Sequence, residues 1–476
     1  MVTKSRQSIK QAFIFNFLIT LFSKIFAYLR IFSISFFLGL NRKTDIYFIT
    51  FSIFGLLLAL RWASEILIIP LFAKYRDSIS KRKYLYSYFF SFSLYFGFFI
   101  FLVSFILSFV IPNFFPFSKE YKDLMKKFFL ILSFSIPLVY VNVSFENIFR
   151  GERRFYLFSI YYSSLTIIQA LFCFFGLYFF KNVFVIPIAF VLAHLIVFIS
   201  ILYLERGNIV LLPIKKFFKS KLIKKLLSIY KDSFLNYLST KLKATTDNYF
   251  CSFLKEAQVS ALNFAYFTYG SIGSVLKLDT ILMTKLAEEK YFDTLLKSIF
   301  YSSFITFFIS FLVFYFSYDL IKLLFEYGHF KGKDTNLVAS LLKLAIFLLP
   351  LGSLNGIFSK YYFVKDKIKL TVKIYFLSII VNAVFDYLFI FHFNLEVYGL
   401  VLATLLSACF SLGLYIIYVT LIEEKSLKKL IKLTGCIILS IVVTFGLAKL
   451  IHIVFDPYIT KLVEFVHYLI KERVNL

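Results

Sequence analysis

The sequence predicts an all-α polytopic membrane protein: two six-helix lobes related by a pseudo-two-fold axis along the membrane normal, then one or two C-terminal helices. Three observations predict it. Hydrophobic residues make up 60% of the 476, with 68 Phe and a mean hydropathy of +0.82, more apolar surface than a water-facing fold can bury. The apolar residues gather into thirteen runs of spanning length. Lys and Arg concentrate in alternate loops between those runs.

A helix needs about 20 apolar residues to cross the hydrocarbon core, and the runs at 12–40, 45–72, 84–111, 127–149, 155–179, 183–204, 228–254, 259–284, 295–324, 336–358, 368–391, 397–421 and 430–452 meet that length. The run at 458–470 is shorter and carries Lys461, Glu464 and His467, so it reads as an interfacial helix or a tilted, stunted fourteenth span. Lys4, Arg6 and Lys10 precede an apolar run without a small-residue cleavage site, which makes it a first span and not a removed signal peptide.

In a soluble chain, 53 Lys+Arg against 26 Asp+Glu would point to nucleic acid. Here Lys and Arg are more than twice as frequent in the loops on the N-terminal side as in those opposite, so topology explains the excess. The bias places the N-terminus in the cytoplasm, and no nucleic-acid partner is expected. The richest loop holds Lys215, Lys216, Lys219, Lys221, Lys224 and Lys225 with Pro213, and it reads as a topology signal that meets anionic lipid. It divides the chain into an N-lobe (1–204), a basic cytoplasmic linker (205–227), a C-lobe (228–421) and a C-terminal segment (422–476) holding helix 13 and a short helix 14.

The halves echo each other. Phe37-Leu38 leads to Thr44-Asp45, Phe48 and Phe51, and 216 positions later Phe253-Leu254 leads to Ser260-Ala261, Phe264 and Phe267. An even number of spans per half keeps both in one orientation, which is a transporter plan with a cavity between lobes. Cys173, Cys251, Cys409 and Cys436 lie in apolar runs with no CxxC pair, so they read as small core hydrophobes. No phosphate-binding loop, nucleotide fingerprint or nucleophile elbow is present, so neither an enzyme nor a covalent cofactor is expected.

Phe22-Ser23-Lys24 through Leu29-Arg30 with Thr44-Asp45-Ile46-Tyr47-Phe48, and Val259-Ser260-Ala261-Leu262-Asn263-Phe264-Ala265, resemble the opening and the eighth span of the MurJ/MviN family of lipid II flippases. Leu324-Phe325-Glu326-Tyr327-Gly328-His329-Phe330, Tyr361-Tyr362-Phe363, Lys365-Asp366 and Tyr398-Gly399-Leu400 continue the likeness. The resemblance implies the fold of the multidrug/oligosaccharidyl-lipid/polysaccharide exporters. It also implies a bacterial inner-membrane protein, monomeric and surrounded by membrane lipid, that moves an undecaprenyl-pyrophosphate-linked glycan to the outer leaflet.

Such a cargo needs cations in a wet cavity, and charges within spans are costly enough to require a role. Arg30 lies deep in span one and matches the family's cavity arginine; its guanidinium can hold a pyrophosphate in two-pronged fashion. Ser23 and Lys24 stand nearly two turns earlier, Lys24 where the family usually has Arg. Asp45 matches an acidic position at the start of span two, where it can orient one of these cations or favour the helix dipole. Arg61 and Glu65 resemble part of a further charged set, or form an ion pair four residues apart. In span eight the family's Asp-Arg has become Tyr266-Phe267, and Lys277, Lys241 or Lys243 could replace the lost cation.

A second constellation is acidic. Asp247 in span seven, Asn382 and Asp386 on one face of span eleven, and Thr404 in span twelve offer oxygen ligands for a hard cation such as sodium, with the Leu400 carbonyl completing the set. The pattern is similar to a sodium site in part of the family; the alternative is pairing with basic neighbours such as Lys243. Two other functions stay open: a flippase for another polyprenyl-linked oligosaccharide, and an ion-coupled drug exporter, against which Lys24 and Arg30 argue.

Overall fold

A computed structural model describes residues 9–61, 65–214, 222–224, 241–276, 292–365 and 367–474. Most of the basic-loop lysines, Lys231 and Lys277 fall outside the described residues. The chain forms two compact units, one of residues 1–38 and 42–245, the other of 39–41 and 246–476.

The first unit contains α1 (Ile9–Leu38), α2 (Arg42–Ala59), α3 (Glu65–Lys74), α4 (Ile79–Val110), α5 (Lys119–Ser133), α6 (Ile136–Gly151), α7 (Phe155–Phe180) and α8 (Val185–Glu205). Helix α1 packs on α7, α4 on α6, and α3 against the end of α6. The α3–α6 approach is close: a Cβ on Gly151 would meet Phe72 Cβ at 2.8 Å and Ile69 O at 3.0 Å, so only glycine fits there. Pro137 opens α6 and cannot continue the ladder of α5, so the two helices meet at a 42° bend. Hydroxyl pairs Ser104–Ser133 (2.6 Å) and Ser93–Ser144 (2.5 Å) join α4 to these helices where hydrocarbon would leave the groups unsatisfied.

Past α8 the chain turns back onto the first unit. Ser87, Ser91 and Tyr95, one turn apart on α4, grip its backbone: Ser87 Oγ donates to Asn208 O (3.4 Å) and accepts from Val210 N (3.1 Å). Leu212 N donates to Ser91 Oγ (2.8 Å), and Tyr95 Oη donates to Leu212 O (2.7 Å). The start of the segment between the lobes is therefore a strap on α4. Beside it Arg154 pairs with Glu205 and Glu152, and Tyr86 Oη donates to Glu152 Oε2 at 2.7 Å.

The second unit contains α9 (Gln258–Leu276), α10 (Phe292–Tyr315), α11 (Ser317–Phe325), α12 (Gly332–Ala345), α13 (Leu348–Val364), α14 (Ile368–Tyr387), α15 (Glu396–Ile417) and α16 (Leu427–Val474). Helix α12 starts where Asp334 Oδ2 accepts the Lys331 N–H at 2.9 Å, an end-capping contact. Its core is an aromatic stack in which Tyr415 lies parallel to Phe358 and Tyr362, centroids 5.7 and 5.9 Å apart. Cys173 and Cys251 are buried as expected of core hydrophobes, while Cys409 is exposed.

Nine helices among the described residues are long and apolar enough to cross a membrane, and the bent α5–α6 pair makes a tenth. The other expected spans correspond to α2 with α3, the helical stretch 241–251, and α9. These carry Asp45, Arg61, Asp247 and Tyr266, and each includes or adjoins residues outside the described ones. One expectation is corrected: 458–470 is not a separate element, because α16 runs unbroken through Pro457 to Val474. Its 48 residues reach about 72 Å, far beyond the bilayer core. The far end is held by burial of Val463 and by His467 lying 5.0 Å from the Tyr327 ring.

Candidate functional site

In the first unit the cation of α1 is held from α7. Arg30 Nη1 donates to Gln169 Oε1 at 2.9 Å, while Arg30 Nε and Gln169 Nε2 are buried without a hydrogen bond among the described residues. The guanidinium is thus oriented by one neutral acceptor and keeps donors for an anion. Ser23 is buried and turns its hydroxyl to Thr20 O at 2.8 Å, a bond within its own helix. Lys24 is half-buried on the same helix. Asp45 is fully buried in the first turn of α2, 4.0 Å from Arg42 Nη1.

Arg61 and Glu65 find their charged neighbours on another helix. Glu65 Oε1 accepts from Arg150 Nη1 at 2.7 Å. Arg61 lies within electrostatic reach of Glu146, which stands one turn before Arg150 on α6, and of Lys241 and His194. Glu146, Asn142 and His194 are all buried there, and Asn142 Nδ2 donates to His194 O at 3.0 Å.

In the second unit the acidic constellation is assembled. Asn382 Nδ2 donates to Asp247 Oδ1 (2.8 Å) and to Asp386 Oδ2 (2.6 Å), so one amide holds two carboxylates. Thr404 Oγ1 donates to Asp247 Oδ2 (3.1 Å), as does Tyr266 Oη (3.1 Å), and Ser407 Oγ donates to Asn382 Oδ1 (3.1 Å). Asp247, Asn382 and Asp386 are at most 1% exposed. Leu400, also fully buried, lies one turn before Thr404 on α15. Two buried carboxylates bridged by one amide and met by two hydroxyls gather oxygen atoms of the kind a hard cation takes. Among the described residues no three His, Cys, Asp or Glu gather as a transition-metal site would require.

Sequence reasoning did not reach Gln169, Glu146, Arg150, Ser407 or the hydroxyl of Tyr266. Glu146 and Arg150 carried a legible signal, opposite charges four apart in an apolar span. Gln169 carried none, since its role depends on α1 lying against α7.

Among the described residues the chain is helical, and each of its two units buries charged side chains among apolar spans, as a polytopic membrane protein does. The fold is similar to the lipid II flippase MurJ in its inward closed conformation, TM-score 0.75 at 22% identity, covering 97% of this chain and 99% of that one. It is also similar to an inward-facing MATE transporter of the MOP superfamily, TM-score 0.64 at 14% identity, over 85% and 96% of the two chains. The chain belongs to the lipid II flippase MurJ family, whose family model matches residues 34–470. It is 29% identical over 209 residues to the probable lipid II flippase MurJ of Aquifex aeolicus (strain VF5), a match spanning 42% of this chain and 40% of that protein.

Proposed function

We propose that the chain carries lipid II, an undecaprenyl-pyrophosphate-linked peptidoglycan precursor, from the inner to the outer leaflet of the bacterial cytoplasmic membrane by alternating access, its N-terminus cytoplasmic. Family membership supports the cargo class, and Arg30 is the observation that carries the chemistry. An arginine within an apolar span, oriented by a neutral glutamine and retaining free donors, is suited to a pyrophosphate. Ser23, Lys24, Asp45, Arg61 and Glu65 make up the rest of the proposed cargo set. A drug exporter for cations would place acids where Arg30 and Arg61 stand. Complementation of a cell depleted of its own lipid II flippase tests the reading; failure to restore growth at normal abundance contradicts it.

A sodium ion held by Asp247, Asp386, Thr404 and Asn382, with the Leu400 carbonyl, is the proposed coupling ion. The donor set fits in charge and hardness. Asn382 turns Nδ2 toward the carboxylates and Oδ1 toward Ser407, so its amide would turn over to bring Oδ1 to the ion. When bound, the ion would neutralise the paired carboxylates; the chain's own residues keep those oxygens together. The inward sodium gradient and the membrane potential would then drive the cycle.

A further inference from the structure

The corner between α14 and α15 begins two residues past Asp386 and is shaped by one close approach. There α14 widens into a single π-turn, Leu388–His392, in which Phe393 N donates to Leu388 O at 2.9 Å. The chain reverses through Asn394 (φ 53°) and Glu396 (φ 50°), left-handed conformations that a non-glycine residue keeps only where its surroundings hold it. Leu395 N closes the corner on Phe389 O at 2.8 Å. Gly399, buried near the start of α15, lies against the π-turn: a Cβ there would meet Phe389 Cβ at 2.7 Å and Leu395 Cβ at 3.3 Å. A side chain at 399 therefore has no room unless α15 moves away from α14.

This seat is one of two contacts that bracket the buried carboxylates. The other is Ser407 Oγ donating to Asn382 Oδ1 at 3.1 Å, eight residues further along α15 and seven further back along α14. Asp386 lies between the brackets on α14, and Leu400 and Thr404 lie between them on α15. We infer that Gly399 sets the size of the cation site, and with it the preference among alkali ions. The inference rests on the reading that Asp247, Asp386, Thr404 and Leu400 hold sodium. A methyl group at 399 would part the two helices at this end by about 1 Å, since carbon atoms pack at about 3.5–4.0 Å. Ion ligands must be held to within about 0.5 Å, and selectivity follows the size and rigidity of the cavity. A small ion then loses contact with one helix before a larger one does. Gly399 is a positioning residue that acts through Asp386 and the start of α15 and does not itself touch the ion.

The test titrates the purified full chain with sodium and, separately, with potassium at constant ionic strength, and reads both dissociation constants. Gly399→Ala should weaken sodium by about 10- to 100-fold, the usual effect of disturbing the support of an ion's ligands, and should weaken potassium less, so that the preference for sodium falls. Gly413→Ala adds a methyl group to the same helix where it meets nothing within 4 Å, and it should keep both parental constants. A merely structural role would lower the melting temperature of Gly399→Ala and leave the ratio of the two constants unchanged, which overturns the inference. Parental sodium affinity in Gly399→Ala, or an equal loss in Gly413→Ala, overturns it too while the sodium reading stands. A parent that binds no sodium overturns that reading and this inference with it. Should Gly399→Ala fold poorly, adding Phe389→Gly deletes the facing Cβ, and the double variant must recover both folding and the preference for sodium; failure in either overturns the assignment.

Discussion

Tyr266 donates its hydroxyl to Asp247 Oδ2 at 3.1 Å, and this contact joins the point where the sequence departs from its family to the buried carboxylates. Tyr266, the first of the two residues at which the resemblance breaks, supplies a neutral donor to an acid. Tyr266→Phe should lower stability by about 1–2 kcal/mol in sodium-free buffer, the loss of one of the two hydroxyl donors to Asp247 Oδ2. The loss should shrink in saturating sodium, because a cation replaces the missing donor. Melting curves with and without sodium at constant ionic strength check both arms.

The carboxylate pair itself makes a sharper demand. Sodium should raise the melting temperature, by the equivalent of about 2.7 kcal/mol at one hundred times the dissociation constant, and large organic cations should not. Asp386→Asn should erase the response. A melting curve flat in sodium for the parent would leave Asp247, Asn382 and Asp386 as a purely structural network.

Arg154 stands between Glu152 and Glu205, whose side chains are 3% and 2% exposed. Removing the cation leaves Glu205 buried without its arginine, while Glu152 keeps Arg82 at 3.3 Å. Arg154→Ala should therefore cost about 3–5 kcal/mol of stability, and Arg154→Lys should recover part of it. Thermal unfolding of the purified variants measures the difference.

The strap on α4 predicts a local effect instead of a global one. Ser91→Ala with Tyr95→Phe removes the bonds to Leu212 at 2.8 and 2.7 Å. Proteolysis within 208–213 should then accelerate while the melting temperature falls by no more than about 2–3 kcal/mol equivalent. Equal protection in the variant would mean that the apolar contacts of Ile209 and Leu212 hold the strap without the hydroxyls.

Hydropathy alone made the helical class and most spans readable, because in hydrocarbon only a helix satisfies its own backbone. The convergence of Asp247, Asn382, Asp386 and Thr404 was legible too, since intramembrane polar residues must meet one another. The unbroken α16 was not: Pro457 and the charges around it look like a boundary, yet a proline removes one bond, and packing against α11 and Tyr327 carries the helix on. Nor was the partner of Glu65 readable. Four-residue spacing proposed Arg61, and the close seat of α3 on Gly151 of α6 selected Arg150 instead. Tyr266-Phe267 read as the loss of a cation, and only the neighbours of Tyr266 reveal its hydroxyl as a donor.

The central claim is that this chain delivers lipid II across the membrane through Arg30. The most direct measurement is the amount of lipid II accessible at the outer leaflet in cells depleted of their own flippase and supplied with this chain. The native sequence should restore it, Arg30→Ala should fall to background at unchanged abundance, and Arg30→Lys should lie between, because a lysine keeps the charge and loses the fork. Background signal with the native chain, or full signal with Arg30→Ala, would contradict the account.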